Sequence, residues 1–259
     1  MLETSALYKT IVAKPNHYFE ISLTVGDSGV LITKQGERIL FGGSAILVDS
    51  GTAESGYRME RLISVKTFHA LFSNSMPEVG SCVAGEIDVE MLYPAQEFPS
   101  RARLGLYARA TDGVQYSEWI PQGVYYIDTR ERTFNDSGLS ILHIHGYDAL
   151  LLTEQLYPET SDLDYPALDV DIVNSICNAI GIRLDPRSDM DKEYRFPLPV
   201  DYTMREVLSS IAAAYGGNFV MTHDGMLRLI GLNDIPAQTN YLIDQAGFAI
   251  TFGGDRILV

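Results

Sequence analysis

The hydrophobic period of this chain changes once, near Tyr147, and that change constrains its architecture more than any other feature. Ahead of it, Ile87, Val89 and Met91 alternate with Asp88 and Glu90, the period-two pattern of a strand with one apolar and one acidic face. Beyond it, Ile172, Val173, Ile176, Cys177 and Ile180 recur at helical spacing and share one face of a helix. Strands followed by helices predict a β-rich α+β protein. The expected order is an N-terminal antiparallel tube-like β-barrel or sandwich over 1–146, a smaller α+β domain over 147–236, and the start of a further β segment over 237–259.

Within the first region, strands are expected at 18–25, 30–33, 38–41, 45–49, 57–65, 82–93, 101–109 and 124–130, with turns at Gln35-Gly36 and Gly42-Gly43. The stretch 67–73 reads as a short helix crossing one end of the barrel. In the second region Asp169 or a neighbour caps a helix that stops at Gly181, and Thr203 and Glu206 have the spacing of a capping box. Val207, Leu208, Ile211 and Ala212 form the buried stripe of that second helix, which ends at Gly216-Gly217. Strands at 218–222 and 226–232 flank Asp224-Gly225, a hairpin step. The stretch 233–240, with Pro236, reads as a linker.

The segment 117–130 concentrates the least generic residues. It holds Trp119, the only tryptophan, then Pro121 and Gly123, which punctuate a backbone, and then Val124, Tyr125, Tyr126 and Ile127, which are β-formers. The reading is a bent entry into a central strand. Trp119, Pro121, Gly123, Tyr125 and Tyr126 are its structural or interface anchors.

The 259 residues carry a net charge of −15 and 46% hydrophobic content, enough to bury a full core. From Thr133 to Ile182 no lysine or arginine occurs, whereas Asp136, Asp148, Glu154, Glu159, Asp162, Asp164, Asp169 and Asp171 do. Gripping a phosphate backbone requires the opposite sign. Apolar runs such as 149–152 and 211–215 fall far short of the roughly 20 residues of a spanning helix, so no membrane insertion is expected. The first residues have no secretory pattern. Cys82 and Cys177, each among apolar neighbours, read as buried thiols in a reducing compartment rather than a disulfide.

Catalytic and metal constellations do not emerge. His143 and His145 point to one face of a strand but lack a third ligand at an interpretable spacing. His17, His69 and His223 lie in different elements. The aspartates of 162–171 and 185–193 lack the glycine and closing glutamate of a calcium loop. No nucleophile elbow, phosphate loop or zinc helix is present. No cofactor, catalytic residue or metal ligand is expected.

A set of motifs in fixed order carries a resemblance: Pro121-x-Gly-Val-Tyr-Tyr-Ile-Asp128, His145-Gly-Tyr-Asp-Ala-Leu-Leu151, Cys177-Asn-Ala-Ile-Gly-Ile182 and Thr203-Met-Arg-Glu-Val-Leu208. This order, spanning roughly 63–232, resembles the baseplate hub proteins of phage and prophage tails. The resemblance implies a non-enzymatic structural protein at the virion tail tip, made in the bacterial host cytoplasm. It implies a homotrimer around a central channel, with a distal tail or tube protein, the tape measure protein and a fibre or spike protein as partners. DNA would pass through without specific binding, and acids facing the lumen would repel it. Hubs of this kind return to a second barrel after the α+β unit, so either this chain is a fragment of a longer one, or the second barrel is reduced or comes from elsewhere. Two competing readings are a tail-associated cell-wall hydrolase with paired carboxylates, and a carbohydrate-binding or adhesion module using Trp119 and the tyrosines.

Overall fold

The computed structural model describes residues 4–26, 53–73, 77–95, 97–99, 101–135, 137–158 and 163–231, with strand residues 40–41, 44–45, 251–252 and 255–256. The expected strands at 30–33 and 45–49, most of that at 38–41, the turns at 35–36 and 42–43, the linker at 233–240 and most of 237–259 lie outside the described residues.

A short helix opens the chain: α1 (Ala6–Val12), capped by Ser5, whose hydroxyl accepts from the Tyr8 amide. Strands follow as β1 (Tyr18–Gly26), the two-residue pair β2 (Leu40–Phe41) and β3 (Ser44–Ala45), β4 (Leu62–Phe68), β5 (Glu86–Leu92), β6 (Arg103–Thr111), β7 (Ile120–Phe134) and β8 (Ser140–Tyr147). Apart from that pair they form one antiparallel sheet in the order β1-β6-β7-β8-β5-β4. The expected short helix at 67–73 is not formed. Thr67 and Phe68 instead complete β4, pairing with Ile87 and Glu86, because ladder hydrogen bonds to β5 outweigh a weak helical pattern in so short a segment.

The sheet curls into a half-barrel. Its inner face buries Leu23, Ile87, Val89, Met91, Leu104, Leu106, Tyr125, Ile127, Leu142 and Ile144 in one cluster. In β5 the alternation puts Ile87, Val89 and Met91 inward and Asp88 outward. The edge of β1 is bridged to the chain ahead of β4, where Leu23 and Tyr57 exchange backbone hydrogen bonds of 2.9 and 2.8 Å. Gly56 makes that approach feasible, since a Cβ there would stand 2.2 Å from Ser22 Oγ.

Curvature comes from β7, which runs without a break through Pro121 and Gly123. The expected bend is a bulge. Against β6, Leu106 pairs with Gly123 and Tyr107 with Pro121, leaving Gln122 unpaired in the ladder. Against β8, Ile127 pairs with Gly146 and Thr129 with His145, leaving Asp128 extra. An added residue on one strand bends it and raises the local twist, so both ends of the Pro121–Asp128 motif curl the sheet. Gly123 leaves room for the Tyr125 ring, which would meet a Cβ at 2.4 Å.

The α+β part begins with a 3-10 turn over Ala149–Glu154, then β9 (Ala167–Leu168), α2 (Asp169–Ile180), β10 (Arg195–Phe196), α3 (Met204–Ala214), β11 (Gly217–Met221) and β12 (Leu227–Gly231). A further two-residue pair, β13 (Thr251–Phe252) and β14 (Asp255–Arg256), follows. The capping box at Thr203 and Glu206 is present in both directions, and Gly181 closes α2 with φ 76°. Leu168 rather than Asp169 precedes α2, and Asp169 instead turns inward, accepting from the Tyr215 hydroxyl at 2.6 Å. Ile172, Ile176, Leu208, Ile211, Phe219 and Leu227 are fully buried in a second cluster that also takes Cys82, Ala149, Leu150 and Cys177. Tyr126 and Ala84, from the sheet's side, pack against it.

Candidate functional site

Three surfaces gather the residues singled out above. The first surrounds Trp119. This indole is half-buried and joins neither core cluster. The Arg109 guanidinium stacks 4.3 Å from its centroid and 4.3 Å from that of Tyr116, and Arg58 lies 5.4 Å from the Trp119 ring. Glu20 of β1 holds Arg109 through its Nε and NH2 groups at 2.9 and 2.8 Å. Ser117 pins the loop by accepting from the Ala110 amide, and Glu118 accepts from the Ser5 amide and hydroxyl at 2.7 and 2.5 Å. Trp, Tyr and Arg stacked on a sheet corner are the residue types that dominate binding hot spots.

Pro121, Gly123, Tyr125 and Tyr126 follow that corner along β7, Tyr125 and Tyr126 facing opposite sides of the sheet. Tyr125 is fully buried in the sheet's own cluster, and Tyr126 is partly buried against the α+β cluster. Burial and the nearby Asp148 carboxylate push the Tyr125 phenol up, so it stays neutral and serves as a hydrogen-bonding group.

The second surface is the outer face of β4, β5, β8 and β7, an open groove lined by Lys66, Asp88, Glu90, Arg130, Glu131, His143 and His145. His143 and His145 share this face as expected. Each is occupied by a cross-strand neighbour: His145 Nδ1 lies 2.7 Å from Asp88 Oδ1, and His143 Nδ1 lies 3.6 Å from Glu90 Oε1 while its Nε2 meets the Thr133 hydroxyl. Among the described residues, no group of three or more His, Cys, Asp or Glu is arranged to hold a metal. Acids and bases alternate across this face, so it is not a uniformly acidic wall. Of the aspartates weighed for calcium, Asp169 is buried on Tyr215, Asp185 binds Arg187, and Asp162 lies outside the described residues.

The third place was not legible in the sequence. His69, just past β4, and His223, in the turn between β11 and β12, come together with ring centroids 5.8 Å apart, while His17 stays apart on Phe19. Asp148 stands beside them with 2% exposure, accepting from the Gly85 amide at 2.7 Å and the Leu150 amide at 2.9 Å. Loss of hydration raises its carboxyl to about 6, although both amides and Arg205 pull it back. Its only sequence signal was local, an aspartate one residue ahead of a helical turn. Cys82 and Cys177 are free and buried, and burial raises both thiols, that of Cys177 to about 12.

No protein-family model matches this sequence, and no curated protein matches it. Solved structures do. A 43 kDa tail protein of prophage MuSo2 from Shewanella oneidensis is 15% identical, with a TM-score of 0.47 over 83% of this chain and 56% of that one. A tail protein from Neisseria meningitidis MC58 is 12% identical, with a TM-score of 0.44 over 82% of this chain and 51% of its own. The Francisella PdpA-VgrG complex in a half-lidded form is 11% identical, with a TM-score of 0.44 over 84% of this chain and 31% of the matched one. The chain therefore spans about half the length of these two tail proteins.

Proposed function

We propose that this chain is a structural, non-enzymatic component of a phage-type tail, working as the hub at the tail tip. The observation that carries this reading is the convergence of the motifs behind the resemblance. The 121–128, 145–151, 177–182 and 203–208 segments lie apart along the chain, yet Tyr126, Ala149, Leu150, Cys177, Ile180, Val207 and Leu208 all meet at one hydrophobic cluster. Such convergence supports a shared framework, because residues that must pack together constrain each other across the chain.

In this reading the curled sheet is a ring segment and the α+β unit braces it from the side. Three copies surround a channel, joined to the tube above and to fibre or spike proteins below, and the tape measure protein and DNA occupy the lumen. Trp119, with Arg109 and Tyr116, is the subunit or partner contact. The mixed outer face of β4, β5, β8 and β7 gives passing DNA no continuous cationic track.

The test is assembly. Purified chain mixed with its tube protein should form a trimeric ring, read by light scattering and electron microscopy, and should release no sugar or peptide from cell walls. Trp119→Ala should keep the fold, since its ring lies outside both clusters, and lose assembly. Cell-wall turnover by a monomer would instead establish the hydrolase reading.

A further inference from the structure

The β11–β12 turn is held to the sheet at few points. Gly225, at φ 81°, brings the turn so near β7 that a Cβ would stand 3.0 Å from Val124 Cγ2. The bulge frees the Gln122 carbonyl from the β6 ladder. His223 Nδ1 lies 2.9 Å from that oxygen, and a carbonyl only accepts, so Nδ1 carries the proton and donates. On the sheet side His69 is tied by Nε2 to the Tyr125 hydroxyl at 2.8 Å. Its Nδ1 faces Gly85, where a Cβ would meet it at 2.5 Å. Both rings are thus hydrogen-bonded to β7, His69 from the sheet's own chain and His223 from the β11–β12 turn, and they meet at 5.8 Å.

We propose that the His69–His223 contact is an acid-operated latch between the sheet and the α+β unit: when both rings are protonated, two cations face each other across the seam and the β11–β12 turn lifts from β7. Lifting the turn gives up the His223–Gln122 hydrogen bond but leaves His69 on Tyr125, and it carries one cation away from the other. Burial and the charge of His223 both lower the pKa of His69, the sign expected when closure resists double protonation. The other charged or titratable groups here are Tyr125 on β7, bonded to His69, Asp148 ahead of the 3-10 turn, which closes on Gly85 with the His69 ring and is acted on by Arg205 of α3, and Asp224 next to His223 in the turn, which acts on Arg187. Asp148 is held by Gly85 and Leu150, so it stays with the sheet in either position of the turn and its own titration is common to both.

Hydrogen exchange, normalised to intrinsic rates, would compare the intact chain at about pH 7.5 and about pH 5. Amides of the β11–β12 turn and of Val124 should lose protection roughly tenfold in acid, with α2 and α3 unchanged. His223→Phe, which keeps a ring but cannot titrate, should abolish that loss. Unchanged protection in the native chain, or an equal loss in His223→Phe, overturns the proposal. Should the variant not fold, proton NMR of the native histidines decides: each ring's titration should show the other's, and two independent single-site curves would reject the latch.

Discussion

In the half-barrel, residues that touch are far apart in sequence: Leu23 pairs with Leu106 on one side and with Tyr57 on the other. In the α+β unit the helix cap and the hairpin turn are made by short contacts, Thr203 with Glu206 and Thr222 with Met226. One region is held by a long hydrogen-bonded ladder joined, among the described residues, at the Leu23–Tyr57 backbone bridge. The other is held by two capped helices closing over a hairpin. The contrast teaches where each is vulnerable, the sheet at its closure and the unit in its core, and the seam is where one fault can reach both.

The largest effect should follow Phe219→Ala, which empties the centre of the α+β cluster. A loss of about 3–5 kcal/mol is expected in urea denaturation. Because Cys82 and Ala84 feed the same cluster from the sheet's side, exchange should also quicken at the start of β5. Unchanged exchange there would mean that the regions are energetically separate.

Next comes pH. Asp148 has its folded pKa raised to about 6, above an unfolded value of about 3.9. Its contribution is therefore fully present below the unfolded value and lost as pH rises through about 6, by on the order of 2–3 kcal/mol. His69, lowered by burial, works the other way and favours folding as pH rises. The stability difference between the native chain and Asp148→Asn should fall by that amount between about pH 4 and about pH 7. A flat difference would remove the buried carboxylate from the account.

Gly56→Ala strikes the closure itself. The methyl must displace Ser22 Oγ and crowd the Leu23 carbonyl, at about 1–3 kcal/mol, with faster exchange at Leu23 and Tyr57 and none in α3. Smallest is Thr203→Ala, at about 1 kcal/mol, confined to the first turn of α3. If Gly56→Ala loosened α3 as much as β1, the division drawn between the two regions would be wrong.

Legibility follows the same line. Both main helices, the Gly181 stop, the Asp224-Gly225 hairpin and the inward face of β5 were readable, since each signal lies within a few residues of the contact it makes. Helix α1 was missed although Ser5 caps it, because seven residues carry little periodicity. Pro121 and Gly123 suggested a bent entry into a strand, and only the register against β6 shows that the bend is a bulge within one continuous strand. Trp119 reads as an anchor from its rarity alone, but Arg109 and Glu20, which hold it, carry no mark in the sequence.

By itself, then, the sequence determined the β-rich then helical order, the capped helices, the hairpin and the motif order that resembles tail hubs. Those properties depend on hydrogen bonds and side-chain periods within one or two turns of chain. Only the tertiary structure decided that the sheet closes at Tyr57, that β7 bulges at Gln122 and Asp128, and that His69 meets His223 beside a buried Asp148. Those contacts join residues separated by long loops, whose closure is set by the summed packing of both clusters rather than by any residue near the contact.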